Sequence, residues 1–289
     1  MHAPFDLTPF SLYHGLGNDY LIVERDGLSR PLPPNAIGRI CDRHFGIGAD
    51  GILISESSRE TSDAFQLTIL NPDGSEAEKS GNGLRIFSRY LFDHRRVSEQ
   101  MPFTIVTGGG TVTSTILDGG RQVRVAMGRA TFDATAIPVR NDVGDVLERS
   151  VVVGGRTLTY SAVSVGNPHC VLIGASWSEA DARALGADLE IHPNFPNRTN
   201  VQFVNVLNRN RIRLFIWERG AGYTLASGSS SCAAAAVCRR LDLCDERITA
   251  EMPGGELSLI VSESFDIDME GPVVAIAQGH LATELLHSR

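Results

Sequence analysis

Two serines are the residues whose type and position best suit chemistry. Ser80 and Ser227 are each followed by glycine, and each pair stands where a turn passes into a helical stretch, in EKSGNGLRIFSRYL and ASGSSSCAAAAVCRRL. The first turn of a helix carries unpaired N–H groups and the positive end of the helix dipole, so it attracts anions. Serine is also a common N-cap residue, which is a purely structural role. For either serine alone we favour the N-cap, whereas the matched pair indicates a site.

The two serines are one of three landmarks that recur in the same order in both halves of the sequence. Asn18 and Asn167 lie 149 residues apart, the two serines 147, and Gly108 and Gly254, each before an alternating strand-like run, 146. Such a repeat predicts two structurally equivalent halves. If a pseudo-two-fold axis relates them, the two helix N-termini face each other across an interdomain cleft and hold a carboxylate there.

Each half combines short strands with one clear helix, which predicts an α+β fold. The strands are rich in Val, Ile and Thr and are separated by Gly, Asn and Asp turns, as in FQLTILNPDGS and NVQFVNVLNRNRIRLFIWERG. In the first helix Leu84, Phe87 and Leu91 form a stripe and Arg85 lies off it, which predicts one packed face. The second helix contains Ala233–Ala236, so it is narrow and we expect it to be more deeply buried.

Composition and charge restrict the class of protein. The chain has 289 residues, of which 42% are hydrophobic and 21% charged, as in globular proteins. The length predicts two domains. We place the N-terminal half at 1–133, joined by a last strand at 273–289, and the C-terminal half at 134–272. The net charge of −8 argues against nucleic-acid binding, because that function needs a basic surface. The expected partner is a small molecule.

The cysteines and the apolar runs exclude further classes. The five cysteines include no C-x-x-C pair, so neither a zinc site nor a disulfide framework is expected, and we predict no metal. Cys232 and Cys238 are interpreted as small buried hydrophobes. No apolar run approaches the roughly 18 residues of a membrane span, and the first residues lack a secretory pattern. We therefore expect no membrane association and, by default, a cytoplasmic location.

Six sequence blocks carry a resemblance to a known family. They are, in order, HGLGNDYLIV, DRHFGIGADGILI, LNPDGSEAEKSGNG, VGNPHCV, NVQFV and WERGAGYTLASGSSSCAA. Together they resemble the diaminopimelate epimerase family over nearly the whole chain. The resemblance implies two pseudo-symmetric α+β domains, each a β-barrel-like sheet around a central helix. It also implies proton transfer at the Cα of an amino acid substrate, in the interdomain cleft and without a cofactor, and a homodimer.

The chain departs from this family at the positions that define the reaction. By the resemblance, cysteines match Ser80 and Ser227, one removing the α-hydrogen as a thiolate and the other returning a proton from the opposite face. Lys79, Tyr223 and the SSS at 229–231 depart from the family pattern as well. Because a simple engineered pair of serines does not explain those neighbours, a natural divergent relative is the better interpretation.

Serine is a much weaker acid than cysteine, and this matters for the reaction. The pKa of a serine hydroxyl lies many units above that of a thiol, which is about 8.5. Each unit of this difference adds about 1.4 kcal/mol to the free energy of deprotonation. A helix N-terminus supplies at most ~2 kcal/mol. Serine therefore needs a neighbouring general base. The resemblance supplies two catalytic candidates, His169 beside Ser80 and Glu218 beside Ser227.

The resemblance also implies a set of substrate-binding residues. Those for the distal amino acid end of the substrate are Asn71, Asn167, Asn200 and Arg219, the last suited to a bidentate carboxylate contact. Asn18 matches a cleft asparagine. Those that present backbone N–H groups to the α-carboxylate are Gly81, Asn82, Gly228 and Ser229. Asn71 is equally typical of a turn, since it begins the N-P-D-G sequence.

Three functions follow from these observations. The first is an amino acid isomerase that epimerises diaminopimelate or a related compound through the serines. The second is a dehydratase or lyase acting on a hydroxylated amino acid, which needs a base on one face only. The third is a non-catalytic amino acid-binding paralogue, or a form trapped by cysteine-to-serine replacement. We favour the first, because the pocket residues are retained.

Overall fold

The computed structural model describes residues 7–28, 30–56, 64–140 and 142–287. The chain divides into two compact units, Met1–Val125 with Gly271–Arg289, and Ala126–Glu270. Each unit is α+β, as predicted. The domain limits expected from the sequence, 1–133 with 273–289 and 134–272, stay a prediction.

The helices and strands follow one another in a repeated order. The strands are β1 (Thr8–Gly15), β2 (Asn18–Glu24), β3 (Gly51–Ser55), β4 (Ala64–Leu70), β5 (Glu76–Ala77), β6 (Phe103–Thr107), β7 (Gly110–Leu117), β8 (Gln122–Arg129), β9 (Arg149–Val153), β10 (Arg156–Ser164), β11 (Pro168–Gly174), β12 (Asn200–Asn208), β13 (Arg211–Glu218), β14 (Gly222–Thr224), β15 (Arg247–Met252), β16 (Gly255–Val261), β17 (Asp266–Pro272) and β18 (Val274–Leu281). The helices are α1 (Pro34–Cys41), α2 (Gly81–Asp93), α3 (Glu179–Glu190), α4 (Gly228–Arg240) and α5 (Thr283–His287), with short 3-10 turns at Arg25–Gly27 and Asp118–Gly120.

The pairing of the strands is the same in the two units. In the first, β18, β1, β2, β3 and β4 pair in that order, and β4 continues to β6, β7 and β8, with β2–β3 and β4–β6 parallel. In the second, β9 to β13 pair in that order, and β13 continues to β15, β16 and β17, with β11–β12 and β13–β15 parallel. The short strands β5 and β14 pair with β4 and β13. The predicted repeat is therefore confirmed.

Each unit is built around one buried helix. Helices α2 and α4 have 13 residues each. Helix α2 packs against β1, β2, β3 and β7, and α4 packs against β10 to β13, β15 and β16. The prediction that α2 has a single packed face is wrong. Arg85 is 0% exposed, because strands contact this helix on several sides. As expected, Ala233–Ala236 in α4 are all fully buried.

Local sequence features explain where the elements begin and end. Gly154 and Gly155 both have positive φ, which is the requirement of a two-residue type I′ hairpin, here between β9 and β10. Helix α3 starts with a capping box, in which Ser178 and Asp181 each bind the backbone N–H of the other. Strand β12 begins with six buried residues in a row, so both of its faces are covered.

Apolar side chains pack the outer helices α1 and α3 against the strands of their units. In the first unit, Ile37 and Ile40 of α1 pack with Leu21 and Ile52 of the sheet. In the second, the hydrophobic core joins α3 to β10, β11 and β12. All five cysteines are free and buried, and those in α4 are fully buried, as predicted. Among the described residues, no helix has the length and apolar character needed to span a membrane.

Candidate active site

Ser80 is the N-cap of α2 in the first unit. Its backbone is extended (φ −137°, ψ 117°), and its Oγ accepts a hydrogen bond from the N–H of Gly83 at 3.0 Å. The Tyr20 hydroxyl lies 3.4 Å from the same Oγ. Gly81 and Asn82 occupy the first two helical positions, where backbone N–H groups have no acceptor inside the helix. The half-buried Ser80 therefore stands at an N-terminus suited to an anion.

A directed chain of hydrogen bonds runs from Arg85 to Asp50 in this unit. Arg85 Nη2 donates to Asn82 Oδ1 at 2.8 Å, Asn82 Nδ2 donates to Asn18 Oδ1 at 3.0 Å, and Asn18 Nδ2 donates to Asp50 Oδ2 at 2.8 Å. A guanidinium only donates and a carboxylate only accepts, so the two ends fix the orientation of both carboxamides. Arg43 donates to the other oxygen of Asp50 at 2.8 Å. Two predicted site residues, Asn18 and Asn82, are thus held in place by the protein itself.

Asn71 lies in the turn between β4 and β5. Its N–H donates to the carbonyl oxygen of Ser75 at 2.8 Å, and its carbonyl oxygen accepts from Gly74 at 2.9 Å. Its Nδ2 donates to Ser75 Oγ at 3.0 Å. The turn role that the N-P-D-G sequence suggests is therefore present, and the amide nitrogen of Asn71 is engaged within the turn.

Ser227 is the N-cap of α4 in the second unit and is nearly buried, at 3% exposure. Its backbone is extended like that of Ser80 (φ −145°, ψ 125°), and its Oγ accepts from the N–H of Ser230 at 3.4 Å. Gly228 and Ser229 hold the first two helical positions, equivalent to those after Ser80. The two predicted catalytic serines therefore have the same backbone conformation and the same capping hydrogen bond in their respective units.

His169 lies in β11 and is fully buried. Its Nε2 is 2.8 Å from Asn167 Oδ1, and Gln202 Nε2 lies 3.0 Å from both His169 Nδ1 and Ser230 Oγ. Burial, and after it the positive charge of Arg219, lowers the pKa of His169 to about 3, although the hydrogen bond with Gln202 acts in the opposite direction. The imidazole is therefore neutral at physiological pH.

Asn200 fixes the turn that carries the remaining predicted residues. Its Oδ1 accepts from the N–H of Arg219 at 3.0 Å, and its Nδ2 donates to the carbonyl oxygen of Pro168 at 3.0 Å. Arg219 is exposed, and its Nη1 donates to the carbonyl oxygen of Asn197 at 3.2 Å. Glu218 is half-buried at the end of β13, and its carbonyl oxygen accepts from Ala221 at 3.2 Å.

In each unit hydrogen bonds bring some of the predicted residues to a helix N-terminus. In the first unit, Asn18 is bonded to Asn82 at the start of α2. In the second unit, the hydrogen bonds of Gln202 connect the Asn167 loop to α4. The sequence indicates no role for Gln202, for Arg85 or for Glu190, the last residue of α3. The Glu190 carboxylate accepts hydrogen bonds from Trp217 Nε1 and from the N–H of Gly220. A polar residue inside the apolar run NVQFV was a signal for Gln202. Arg85 was assigned to the outer face of its helix, and nothing marked Glu190. Among the described residues there is no group of three or more His, Cys, Asp or Glu that could hold a metal ion.

The same fold is present in solved structures. A hydroxyproline epimerase from Agrobacterium vitis, solved with bound trans-4-hydroxy-L-proline, superposes with a TM-score of 0.72 at 12% identity, covering 96% of this chain and 93% of that one. At this identity the likeness concerns the fold alone. Two equivalent α+β units, each around a buried central helix, are thus a fold that this chain shares with that solved structure.

The sequence comparisons define the family. The diaminopimelate epimerase profile matches residues 10–133 and 161–276. A protein named diaminopimelate epimerase 2 from a Nostoc species is 50% identical over 276 residues, covering 96% of both chains. The diaminopimelate epimerase of Moorella thermoacetica is 37% identical, covering 93% of this chain and 98% of its own. The chain belongs to the diaminopimelate epimerase family and is an isomerase.

Proposed function

We propose that this isomerase inverts one Cα of diaminopimelate: one of Ser80 and Ser227 accepts the α-proton from one face, and the other donates a different proton to the opposite face. One observation carries the proposal: each unit caps its buried central helix with one of these serines, and each Oγ accepts the backbone N–H three residues later. Inversion at carbon needs a proton acceptor on one face and a proton donor on the other. A pair of equivalent hydroxyls, one from each unit, has the required symmetry. The names of the relatives support the substrate.

Charge supports an amino acid substrate. The carboxylate next to the reacting carbon is an anion, and helix N-termini stabilise anions by about 0.3–1 kcal/mol. We assign its binding to the backbone N–H groups of Gly81 and Asn82 in α2 and of Gly228 and Ser229 in α4. A carboxylate held by N–H donors also stabilises the negative charge that develops when the α-proton leaves.

The distal end of diaminopimelate carries a second ammonium group and a second carboxylate. We assign its recognition to Asn71, Asn167, Asn200 and Arg219, with Asn18 in the same site. Arg219 is the exposed cation of this set, and a guanidinium binds a carboxylate through two parallel hydrogen bonds. Because Asn200 accepts from the backbone N–H of Arg219, it acts by holding the main chain of the Arg219 turn.

The hydroxyls need assistance, because serine does not ionise at neutral pH. We assign this assistance in the second unit to Glu218, which ends β13 and directly precedes Arg219 in the sequence. His169 belongs to the same site through its hydrogen bond to Asn167. Since a thiol ionises far more readily than a hydroxyl, we expect cysteine at both positions to raise the rate of proton exchange.

We also propose a cytoplasmic location and a homodimer. The five cysteines are all free, as is usual in reducing compartments. The homodimer rests on the family resemblance.

The test compares the native chain with the Ser80→Cys, Ser227→Cys double variant. Proton NMR in D2O follows loss of the α-proton of diaminopimelate, and calorimetry measures binding. We expect both chains to bind diaminopimelate and to exchange the α-proton, the double variant faster. Binding without exchange in the native chain, together with exchange in the double variant, overturns the native activity but keeps the pocket. Absence of binding in both overturns the pocket. Loss of water from a hydroxylated amino acid without exchange favours a dehydratase.

A further inference from the structure

We propose that His169 is a positioning residue: a neutral imidazole, with its hydrogen on Nε2, which orients the Asn167 carboxamide so that its NH2 group faces the substrate. The inference rests on the proposed function, because it concerns how the same site recognises its ligand. It also identifies Gln202 as the residue that selects the tautomer of His169.

Gln202 determines which ring nitrogen of His169 carries the hydrogen. Its Nε2 donates one hydrogen to His169 Nδ1 and the other to Ser230 Oγ, both at 3.0 Å. Its Oε1 is buried without a hydrogen-bond partner among the described residues. The reverse amide orientation leaves two buried hydrogens without acceptors instead of one oxygen without a donor, which is the more costly arrangement. Nδ1 is therefore an acceptor, and Nε2 carries the hydrogen.

The tautomer of His169 then fixes the carboxamide of Asn167. Nε2–H donates to Asn167 Oδ1 at 2.8 Å, so this oxygen faces the ring. The NH2 group of Asn167 has no hydrogen-bond partner among the described residues, and the residue is half-buried. A ligand thus meets a donor at this position. A carboxylate accepts such a bond, whereas an ammonium group does not.

The same hydrogen bonds exclude His169 as the proton acceptor of the resting site. A general base needs a lone pair within hydrogen-bond reach of the proton that it removes. The lone pair on Nδ1 already accepts from Gln202, and Nε2 carries a hydrogen that is donated to Asn167. Burial and the nearby charge of Arg219 also disfavour the protonated ring. The role that remains for His169 is orientation.

Gln202 connects the Asn167 carboxamide to helix α4, which begins after Ser227. The residue is fully buried in β12, and the Ser230 that it contacts donates its N–H to Ser227 Oγ. One amide group therefore sets both the hydrogen-bond polarity at Asn167 and the position of the first turn of α4. We therefore expect a displacement of Asn167 to shift the first turn of α4, and the reverse.

Two substitutions of His169 separate orientation from base catalysis. Glutamine offers one donor and one acceptor but no basic nitrogen, whereas leucine offers neither. We expect His169→Gln to bind diaminopimelate within about threefold of the native chain and to keep kcat within about tenfold. We expect His169→Leu to bind diaminopimelate at least about tenfold more weakly while its binding of lysine, which lacks the distal carboxylate, stays unchanged. A loss of about 10²–10⁴ in the kcat of His169→Gln, the usual contribution of a general base, overturns the inference.

The tautomer is measured independently of activity, by long-range ¹H–¹⁵N correlation spectra of the full-length chain. We expect one of the eight histidines to be neutral with its hydrogen on Nε2 at pH 5, and its signals to be missing in His169→Gln. Should that variant fail to fold, the native spectrum decides alone. A hydrogen on Nδ1, or an imidazolium ring at pH 5, overturns the inference. Failure of the native chain to bind or exchange diaminopimelate overturns the proposed function instead, and the tautomer result stands apart from it.

Discussion

Glu190 is predicted to stabilise the turn between β13 and β14 that carries the predicted substrate-binding arginine. It ends α3, and its side chain is 6% exposed. Its Oε2 accepts from Trp217 Nε1 at 2.8 Å, and its Oε1 accepts from the N–H of Gly220 at 2.8 Å. Arg198 forms an ion pair with the same carboxylate at 2.7 Å, but its own side chain is 54% exposed.

The size of the effect follows from these contacts. A hydrogen bond to a charged group contributes about 1.5–3 kcal/mol, and a buried donor left without a partner costs about 1–3 kcal/mol. Gly220 is exposed, so water replaces part of its bond. We therefore expect Glu190→Leu to lower the free energy of unfolding by about 2–4 kcal/mol. Arg198→Ala removes an ion pair whose arginine is 54% exposed, and the buried carboxylate keeps its hydrogen bonds from Trp217 and Gly220, so the expected loss is smaller, about 1 kcal/mol.

Urea denaturation followed by tryptophan fluorescence measures three variants against the native chain. The expected order of loss is Glu190→Leu first, Glu190→Gln second, because glutamine keeps one acceptor oxygen, and Arg198→Ala last. The midpoint is expected to move at unchanged slope. A Glu190→Leu variant within 1 kcal/mol of the native chain refutes the reasoning, as does an Arg198→Ala variant that loses as much. We also expect Glu190→Leu to weaken binding of diaminopimelate, since the turn carries Arg219.

Two further predictions concern the first unit and the central helix of the second. The hydrogen bond from Arg25 holds the pKa of Glu56 below its usual range, against the effect of burial. The contribution of the Arg25–Glu56 pair to the free energy of unfolding is therefore complete above about pH 4.3 and is lost as the pH falls through the lowered pKa of Glu56. We expect Arg25→Met to be under about 1 kcal/mol less stable than the native chain at pH 7. In an acid denaturation series this difference should shrink as the pH falls below about 4.3, and a difference that stays constant contradicts the assignment. Ala235 in α4 is fully buried, so we expect Ala235→Leu to lower the free energy of unfolding by about 1–3 kcal/mol in the same urea assay. Ala184 lies on the exposed face of α3, so Ala184→Leu should change this free energy little. Equal effects of the two substitutions would show that α4 is not enclosed.

The repeat, the fold class and the two helix N-termini were predictable because they depend on local features. Ser80 and Ser227 each precede glycine and a helical stretch, and glycines mark the turns, so spacing alone locates the equivalent elements. The burial of Arg85 was not predictable in this way. Its position off an apolar stripe indicates an exposed face only if one side of the helix meets solvent. Here strands contact α2 on several sides, and Asn82 accepts the charged donor.

The hydrogen bonds within the site could not be predicted from the sequence for a related reason. The polarity of Asn167 depends on His169 and Gln202, which come from different strands. Which side chain meets which across a parallel pair such as β11–β12 is set by register, and register is a tertiary property. The family resemblance supplied the residues in the second unit but not the direction of their bonds.

In the proposed reaction two residues, one from each unit, act on one carbon: one accepts its proton and the other donates a proton to the opposite face. The most direct measurement starts from a single stereoisomer of diaminopimelate in D2O and analyses substrate and product early in the reaction. We expect the inverted product to carry deuterium at Cα while the remaining substrate carries none, because donor and acceptor are different groups. Product that retains the original hydrogen, or deuterium in substrate and product alike from the start, contradicts it.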